Sequence, residues 1–236
     1  MPKTKEVINE FVKEIIRKIL LKFRLLKKAR GVKILFSSPM KKVLKELKKR
    51  DKIISEFSAL EVFGGDGTYT KNYFRKVYSL DVWEINSQFE QSLKNNLPKA
   101  NIKITNSYKE ILNTEKKFNF LVIDNYMSVY GEQRYCEHFD LFPDIFTVCS
   151  DSAILILNVI PCVSHKDKKE YPNLFNKDHL ERRRVFYKTD KPENITFGRM
   201  IEIYSELCEN NSFRLLWHFV QRRFIVYYCI LQIERK

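Results

Sequence analysis

The chain has 236 residues, of which 44% are hydrophobic and 14% aromatic, and its formal net charge at pH 7 is +14. This length is sufficient for one large α/β domain with a fully buried core. The start of the chain shows no signal-peptide pattern, and the longest uncharged apolar run, residues 152–165, is too short to cross a bilayer. We therefore expect a cytoplasmic protein.

Five cysteines are present, and none of them show the C-x-x-C spacing of a metal or redox motif. An odd number of cysteines without such spacing is typical of reduced thiols, and we expect most of them to be buried.

The positive charge is concentrated at the amino terminus. Residues 1–56 contain 18 lysines and arginines against 6 acidic residues, whereas residues 57–236 contain 25 against 23. The sequence therefore predicts a basic helical extension over residues 1–56 and a nearly neutral domain over residues 57–236.

A first amphipathic helix is predicted over residues 5–28, where apolar side chains recur at helical spacing and lysines and arginines fill most other positions. Three roles for this helix stay open. Its apolar stripe packs on the domain or on a second subunit, or the helix lies on an anionic membrane surface, or it binds nucleic-acid phosphates. Packing on the protein is favoured. Binding to nucleic acid is the weakest interpretation, because the apolar stripe would then contact nothing.

A second helix is predicted from Pro39 to about Arg50, with Ser38 as its N-cap. From residue 57 the pattern alternates between strand and helix. Strands are predicted near residues 58–63, 78–84, 101–105, 118–124 and 153–160. Helices are predicted at residues 68–76, 86–96, 107–114 and 133–149. This alternation indicates a Rossmann-like, doubly wound parallel sheet.

The carboxyl-terminal part departs from this alternation. The polar stretch 161–192 is predicted to be an insertion on the substrate side, with a short helix at 177–186. A helix at 198–209 follows, and then two long strands at 213–221 and 224–233, joined by a tight turn at Arg222-Arg223. The strands form an antiparallel hairpin, so the sheet is predicted to have about seven strands.

The most informative local feature is an apolar strand, Ala59 to Phe63, that breaks into Gly64-Gly65-Asp66-Gly67. Glycines let backbone N–H groups approach a ligand without interference from a Cβ atom. Glu84 ends the next apolar run, about 20 residues further on, where a carboxylate can accept hydrogen bonds from ribose hydroxyls. The pair predicts a nucleoside-containing cofactor at the carboxyl ends of the parallel strands.

These residues resemble class I S-adenosylmethionine-dependent methyltransferases. Residues 60–67 look like the family's E/D-x-G-x-G-x-G motif, in which Gly65 and Gly67 match the last two glycines and Phe63 replaces the first. The resemblance covers residues 57–160 well and the terminal hairpin loosely. It implies S-adenosylmethionine as cofactor and methyl transfer as the reaction. The residues that it assigns to cofactor binding are Glu61, Phe63, Gly64, Gly65, Asp66, Gly67, Glu84, Ile85, Asn106, Ser107 and Asp124.

The same resemblance places Asp124, Asn125 and Tyr126 at the reacting centre, where Asp124 would accept a proton or fix the acceptor group and its neighbours would orient it. The alternative is that Asp124 caps the following turn. The glycine loop and Glu84 are also similar to spermidine-synthase-type aminopropyltransferases, in which an aspartate at the place of Asp124 is the base. The residues that follow Asp124 lack the additional carboxylates of a polyamine pocket.

Candidate substrate-binding residues are Tyr130, His138 and the cluster Arg182, Arg183 and Arg184, which can grip a phosphate or carboxylate. For His138 and Cys136 a structural role is favoured, and the arginines equally suit a solvated helix face. One cysteine and one histidine do not make a metal site, and no metal is expected.

We expect the acceptor to be a small molecule or a glycan- or lipid-linked precursor. The alternatives are a nucleic-acid substrate, although the N-P-P-Y motif of one DNA-methylating class is missing, and a catalytically silent subunit that binds the cofactor. The departure at Phe63 is the main support for the silent subunit.

Overall fold

The computed structural model describes residues 38–124, 129–130, 135–142, 144–162, 169, 176–223 and 226–236. The predicted helix at 5–28 and the candidates Asn125 and Tyr126 lie outside these residues. Within them, no helix is long and apolar enough to cross a membrane.

A seven-stranded sheet is the centre of the fold. In chain order its strands are β1 (Ser58–Val62), β2 (Ser79–Glu84), β3 (Asn101–Ile104), β4 (Phe118–Ile123), β7 (Cys149–Val159), β8 (Phe213–Arg223) and β9 (Val226–Arg235). A separate two-stranded pair consists of β5 (Val129–Tyr130) and β6 (Tyr135–Cys136).

The strand order across the sheet is β3-β2-β1-β4-β7-β9-β8. The strands from β3 to β7 are parallel, and β9 is antiparallel to both β7 and β8. β1 and β4 are central and almost fully buried, because both faces of the sheet are covered. The predicted doubly wound sheet with a terminal antiparallel hairpin is confirmed.

Among the described residues, five α-helices accompany the sheet: α1 (Pro39–Lys49), α2 (Glu90–Asn96), α3 (Ser107–Asn113), α4 (Lys177–Phe186) and α5 (Phe197–Asn210). Ser38 caps α1, since its side chain accepts a hydrogen bond from the Lys41 N–H, and Pro39 follows at the first turn, as predicted. Although α1 falls in the predicted basic extension, its apolar face is part of the core under the sheet, through Val43 and Leu47.

Two predicted helices are wrong. Residues 68–76 contain just a short 3-10 turn, Thr70–Asn72, because the Asp66 side chain binds the Thr68 N–H and hydroxyl and so competes with helical hydrogen bonds. Residues 133–149 contain β6 and two 3-10 segments, Glu137–Leu141 and Asp144–Val148. Pro143 lies between those segments, and proline cannot donate the hydrogen bond that a continuous helix would need there.

The predicted turn at Arg222-Arg223 is also wrong, since both arginines belong to β8. β7 begins at Cys149, four residues before its predicted start. The longer β8 brings Arg223 near the carboxyl end of β4, where it contacts Asp124.

Candidate functional site

The glycine loop follows β1 and is held against the end of β2. The Gly64 N–H donates to the Trp83 carbonyl at 3.0 Å, and a Cβ atom at Gly64 would lie 2.3 Å from Val82. Gly65 and Gly67 have positive φ angles of 54° and 77°, which favour glycine. A Cβ atom at Gly65 would meet nothing within 4 Å. The loop is therefore packed on its inner side and open above Gly65.

Glu84 joins this loop to the tip of the neighbouring strand. Its Oε2 accepts the Gly65 N–H at 2.7 Å, and its Oε1 accepts the Asn86 N–H at 2.8 Å. The side chain is nearly buried. A carboxylate oxygen has two lone pairs, so each oxygen can accept one further hydrogen bond from a hydroxyl group. The predicted meeting of the glycine loop and Glu84 is confirmed.

Phe63 occupies the first position of the loop with φ of +64°, in the left-handed region that non-glycine residues rarely adopt. Its ring contacts Tyr108 near the start of α3, with 5.4 Å between ring centroids. The backbone therefore has the conformation that a glycine would adopt here, while the side chain fills space between β1 and α3.

The other predicted cofactor residues surround the same edge. Asn106 caps α3 by accepting the Tyr108 N–H, and Ser107 is buried beside it. Ile85 is 63% exposed, so an apolar side chain faces solvent directly after Glu84. Asp66 caps the turn at Thr68 and is exposed. Their roles toward a cofactor stay predictions.

Glu61 lies beneath the loop and is buried. It accepts a hydrogen bond from the Tyr73 hydroxyl, which enters from the segment after the loop. Burial raises the pKa of the Glu61 carboxyl to about 8, and the hydrogen bond from Tyr73 opposes that increase. At neutral pH this carboxyl is therefore mostly protonated, so its main interaction is a neutral hydrogen bond that anchors the segment after the loop.

Asp124, directly after β4, accepts hydrogen bonds from three side chains. Its Oδ1 accepts from Asn158 at 2.6 Å and from Arg223, and its Oδ2 accepts from the Tyr228 hydroxyl at 2.7 Å. One of these donors, Arg223, also forms an ion pair with the carboxylate. Asp124 is therefore arranged to hold these three side chains together at the end of β4.

Arg223 also connects Asp124 to the residues after the glycine loop. Its guanidinium carbon lies 4.3 Å from the ring centroid of Tyr69 and 5.1 Å from that of Tyr228. The sequence analysis does not identify Arg223, Tyr69, Tyr228 or Asn158 as site residues. Arg223 belongs to the basic pair Arg222-Arg223, for which the sequence predicts a turn.

The predicted substrate-binding residues occupy different surroundings. His138 is fully buried, and its Nε2 is 2.8 Å from the Tyr204 hydroxyl. Arg183 is fully buried and donates to the carbonyls of Pro192 and Ile160. Because both side chains are buried and hydrogen-bonded within the protein, these contacts are those of residues that stabilise the fold.

Arg182 and Arg184 are ion-paired with Asp140 and Glu181 and are partly exposed. The side chain of Tyr130 lies outside the described residues. A substrate role for these three stays a prediction.

The described cysteines are mostly buried thiols. Cys149, Cys208 and Cys229 are buried and Cys162 is exposed. Burial raises the pKa of the Cys208 and Cys229 thiols to about 12, so they stay protonated at neutral pH. Among the described residues, no group of three histidine, cysteine or acidic side chains is arranged to hold a metal ion.

The chain is similar in structure to solved methyltransferases. No family model matches the sequence, and a comparison with curated proteins finds no similar sequence. The chain is similar in structure to a 1,6-didemethyltoxoflavin-N1-methyltransferase from Burkholderia thailandensis, solved with S-adenosylhomocysteine. The TM-score is 0.52 and the identity 9%, over 94% of this chain and 90% of that chain.

It is also similar to the N-methyltransferase NodS from Bradyrhizobium japonicum, again with bound S-adenosylhomocysteine. Here the TM-score is 0.50 and the identity 11%, over 85% of this chain and 90% of that one. The chain therefore has the fold of class I S-adenosylmethionine-dependent methyltransferases, as its sequence predicted.

Proposed function

We propose that the protein is an S-adenosylmethionine-dependent methyltransferase. The observation that carries the proposal is the hydrogen bond from the Gly65 N–H to Glu84 Oε2. It brings an open backbone turn and a ribose-type carboxylate together at adjoining strand ends, where ligands bind in open α/β sheets.

The residues at this edge fit such a cofactor. The space above Gly65 admits a ligand against the bare backbone. The carboxylate of Glu84 can accept hydrogen bonds from the two neighbouring hydroxyls of a ribose. The exposed side chain of Ile85 offers an apolar surface against which the adenine ring can pack. The cofactor would supply an electrophilic methyl group on a sulfonium, and the chain's task is to hold the acceptor in line with it.

Asp124 would position the acceptor side of the site through its neighbours. Because its carboxylate already accepts from Asn158, Arg223 and Tyr228, it is poorly suited to be the general base of an aminopropyltransferase. This contact set favours methyl transfer over aminopropyl transfer. The acceptor proposed remains a small molecule or a glycan- or lipid-linked precursor.

A catalytically silent, cofactor-binding subunit is the second candidate, and Phe63 favours it. A phenyl ring at the first glycine position fills space between the loop and α3 that the family's glycine leaves open. A silent subunit would bind the cofactor without transferring its methyl group.

Calorimetry with S-adenosylmethionine and with its decarboxylated form tests the proposed cofactor. We expect tighter binding of S-adenosylmethionine and a loss of about tenfold or more in Glu84→Gln, because an amide replaces one acceptor oxygen with a donor group. Tighter binding of the decarboxylated form would instead support aminopropyl transfer.

Methyl transfer itself is tested by incubating the protein and labelled S-adenosylmethionine with a cell lysate. Incorporation that disappears in Glu84→Gln would support the enzyme. Binding without incorporation into any fraction would support the silent subunit.

A further inference from the structure

A groove lined by lysines lies at the amino-terminal edge of the sheet, away from the glycine loop. Residues 53–55 precede β1, and Lys76 precedes β2, so both lie where these parallel strands begin. The lysines that line the groove are Lys41, Lys45, Lys48, Lys52 and Lys76. Its remaining lining residues are Leu44, Ile53, Ile54 and Ser55, and none of them is acidic.

Helical spacing produces this arrangement. Lys41, Lys45 and Lys48 are four and three residues apart, which places them along one face of α1, and Lys52 follows shortly after the helix ends. The opposite face carries the buried residues Val43 and Leu47. Lysines at these positions are therefore presented to the groove because the apolar face fixes the rotation of the helix.

Among the described residues, none of these five lysines forms an ion pair. Glu46, the acidic residue of α1, instead lies 3.1 Å from Lys49 and 3.6 Å from Arg50. Five like charges around one concavity repel each other, and an anion with several negative groups would relieve that repulsion.

We propose that this lysine groove, together with Tyr78, binds a single strand of nucleic acid. Tyr78 is 81% exposed and lies two residues beyond Lys76. Exposed Arg75 and Lys99 line a second concavity with it. A lysine groove that follows the phosphates beside an exposed aromatic ring for base stacking is the combination that single-strand binding uses.

A membrane surface fits this groove less well. Binding at a bilayer requires apolar side chains that project into the headgroup region around the basic residues. Ile53 is 55% exposed, but Leu44 and Ile54 are buried in the floor of the groove. The lysines surround a concave surface, which suits a strand better than a plane.

The proposal is independent of the cofactor site. The glycine loop and Asp124 lie at the carboxyl ends of the strands, and the lysine groove lies at their amino ends. A strand held in the groove would therefore leave the cofactor edge accessible, and failure of one proposal does not bear on the other.

The test measures fluorescence anisotropy of a labelled oligouridylate of about 12 nucleotides, within the usual range of single-strand site sizes. It compares the full chain with a variant that combines Lys41→Glu, Lys45→Glu and Lys76→Glu. A matched control combines Lys109→Glu, Lys177→Glu and Lys191→Glu, which changes the net charge equally at exposed positions outside the groove. Thermal unfolding of each variant verifies folding, and a Lys→Gln version of the groove variant replaces it if the glutamates prevent folding.

We expect the groove variant to bind at least about tenfold more weakly, and its logarithmic salt dependence to fall by about 2, as the loss of three phosphate contacts on a single strand predicts. The control should stay within about threefold of the full chain. Tyr78→Ala should weaken binding severalfold while leaving the salt dependence unchanged.

Three results would overturn the proposal. The first is an equal loss in the groove and control variants, because net charge alone would then explain it. The second is no binding of the oligouridylate by the full chain. The third is binding to vesicles with about 30% phosphatidylserine but not to the oligouridylate, which would assign the groove to a membrane.

Discussion

Arg223 and Asp124 form an ion pair that joins the end of β8 to the carboxyl end of β4, although 99 residues separate them in the chain. Arg223 also lies over the ring of Tyr69, in the segment after the glycine loop. The antiparallel hairpin, which does not itself contribute to the predicted cofactor motif, is therefore tied to both sides of the candidate site.

Removing Arg223 should destabilise the fold. In Arg223→Met, the largely buried carboxylate of Asp124 loses its cationic partner, and we expect a loss of about 2 to 3 kcal/mol in the free energy of unfolding, measured by urea denaturation. Arg214→Met, also on β8, is the control, because the pair of Arg214 with Glu234 of β9 is mostly exposed and should contribute less than about 1 kcal/mol. Equal losses in the two variants would contradict a special role for the Arg223 pair.

The stability of the protein should depend on the protonation of Glu61. Its pKa is about 8 in the folded chain and 4.5 when exposed, so between these values the unfolded chain loses a proton that the folded chain keeps. This group therefore lowers the stability as the pH rises from about 5 to 8, by at most about 1.4 kcal/mol per pH unit.

Glu61→Gln removes that contribution. The free energy of unfolding of Glu61→Gln should rise relative to that of the natural chain as the pH increases over this range, and level off above it. Urea denaturation at several pH values measures the difference. Parallel pH profiles for the two proteins would show that Glu61 titrates normally.

A methyl group at Gly65 should block the cofactor edge. In Gly65→Ala the new Cβ atom would project into the open space above the loop, and the positive φ angle adds about 1 to 2 kcal/mol of strain. We expect S-adenosylmethionine binding, followed by calorimetry, to weaken by about tenfold or more. Gly198→Ala is the control, since its Cβ would meet little inside α5 and should leave binding unchanged. Unimpaired binding by Gly65→Ala would place the cofactor elsewhere.

At Phe63, replacement by glycine should give a more stable protein than replacement by alanine, which is the reverse of the usual order. Both substitutions remove the ring, but glycine accepts the φ angle of +64° and alanine does not, so Phe63→Gly should be more stable than Phe63→Ala by about 1 kcal/mol. At Leu207, in the interior of α5, alanine should be more stable than glycine. Thermal and urea unfolding of the four variants decide this. The same order at both positions would mean that the loop relaxes when the ring is removed.

Local patterns were sufficient for most of the parallel half of the molecule. Apolar runs located the strands, and Ser38 with Pro39 located the start of α1 correctly, because capping and burial act over a few neighbouring residues. Gly65 and Glu84 were predicted to meet because parallel strands end at a common edge, and the structure has their atoms 2.7 Å apart.

Tertiary contacts decided what local patterns could not. The segment after the glycine loop forms no helix, since the side chain of Asp66 binds within the turn and Tyr73 enters the core to reach Glu61. The sequence predicts a turn at Arg222-Arg223, between two long strands. Arg223 instead extends β8 and finds its partner in Asp124.

The sequence by itself therefore determined the fold class and the meeting of the glycine loop with Glu84, since both follow from periodicity and from the glycines and acids that end particular strands. The tertiary structure alone decided the surroundings of Asp124 and the protonation of Glu61. Those properties depend on burial and on partners distant in the chain, Tyr228 and Arg223 among them, whose positions are fixed only when the sheet is assembled.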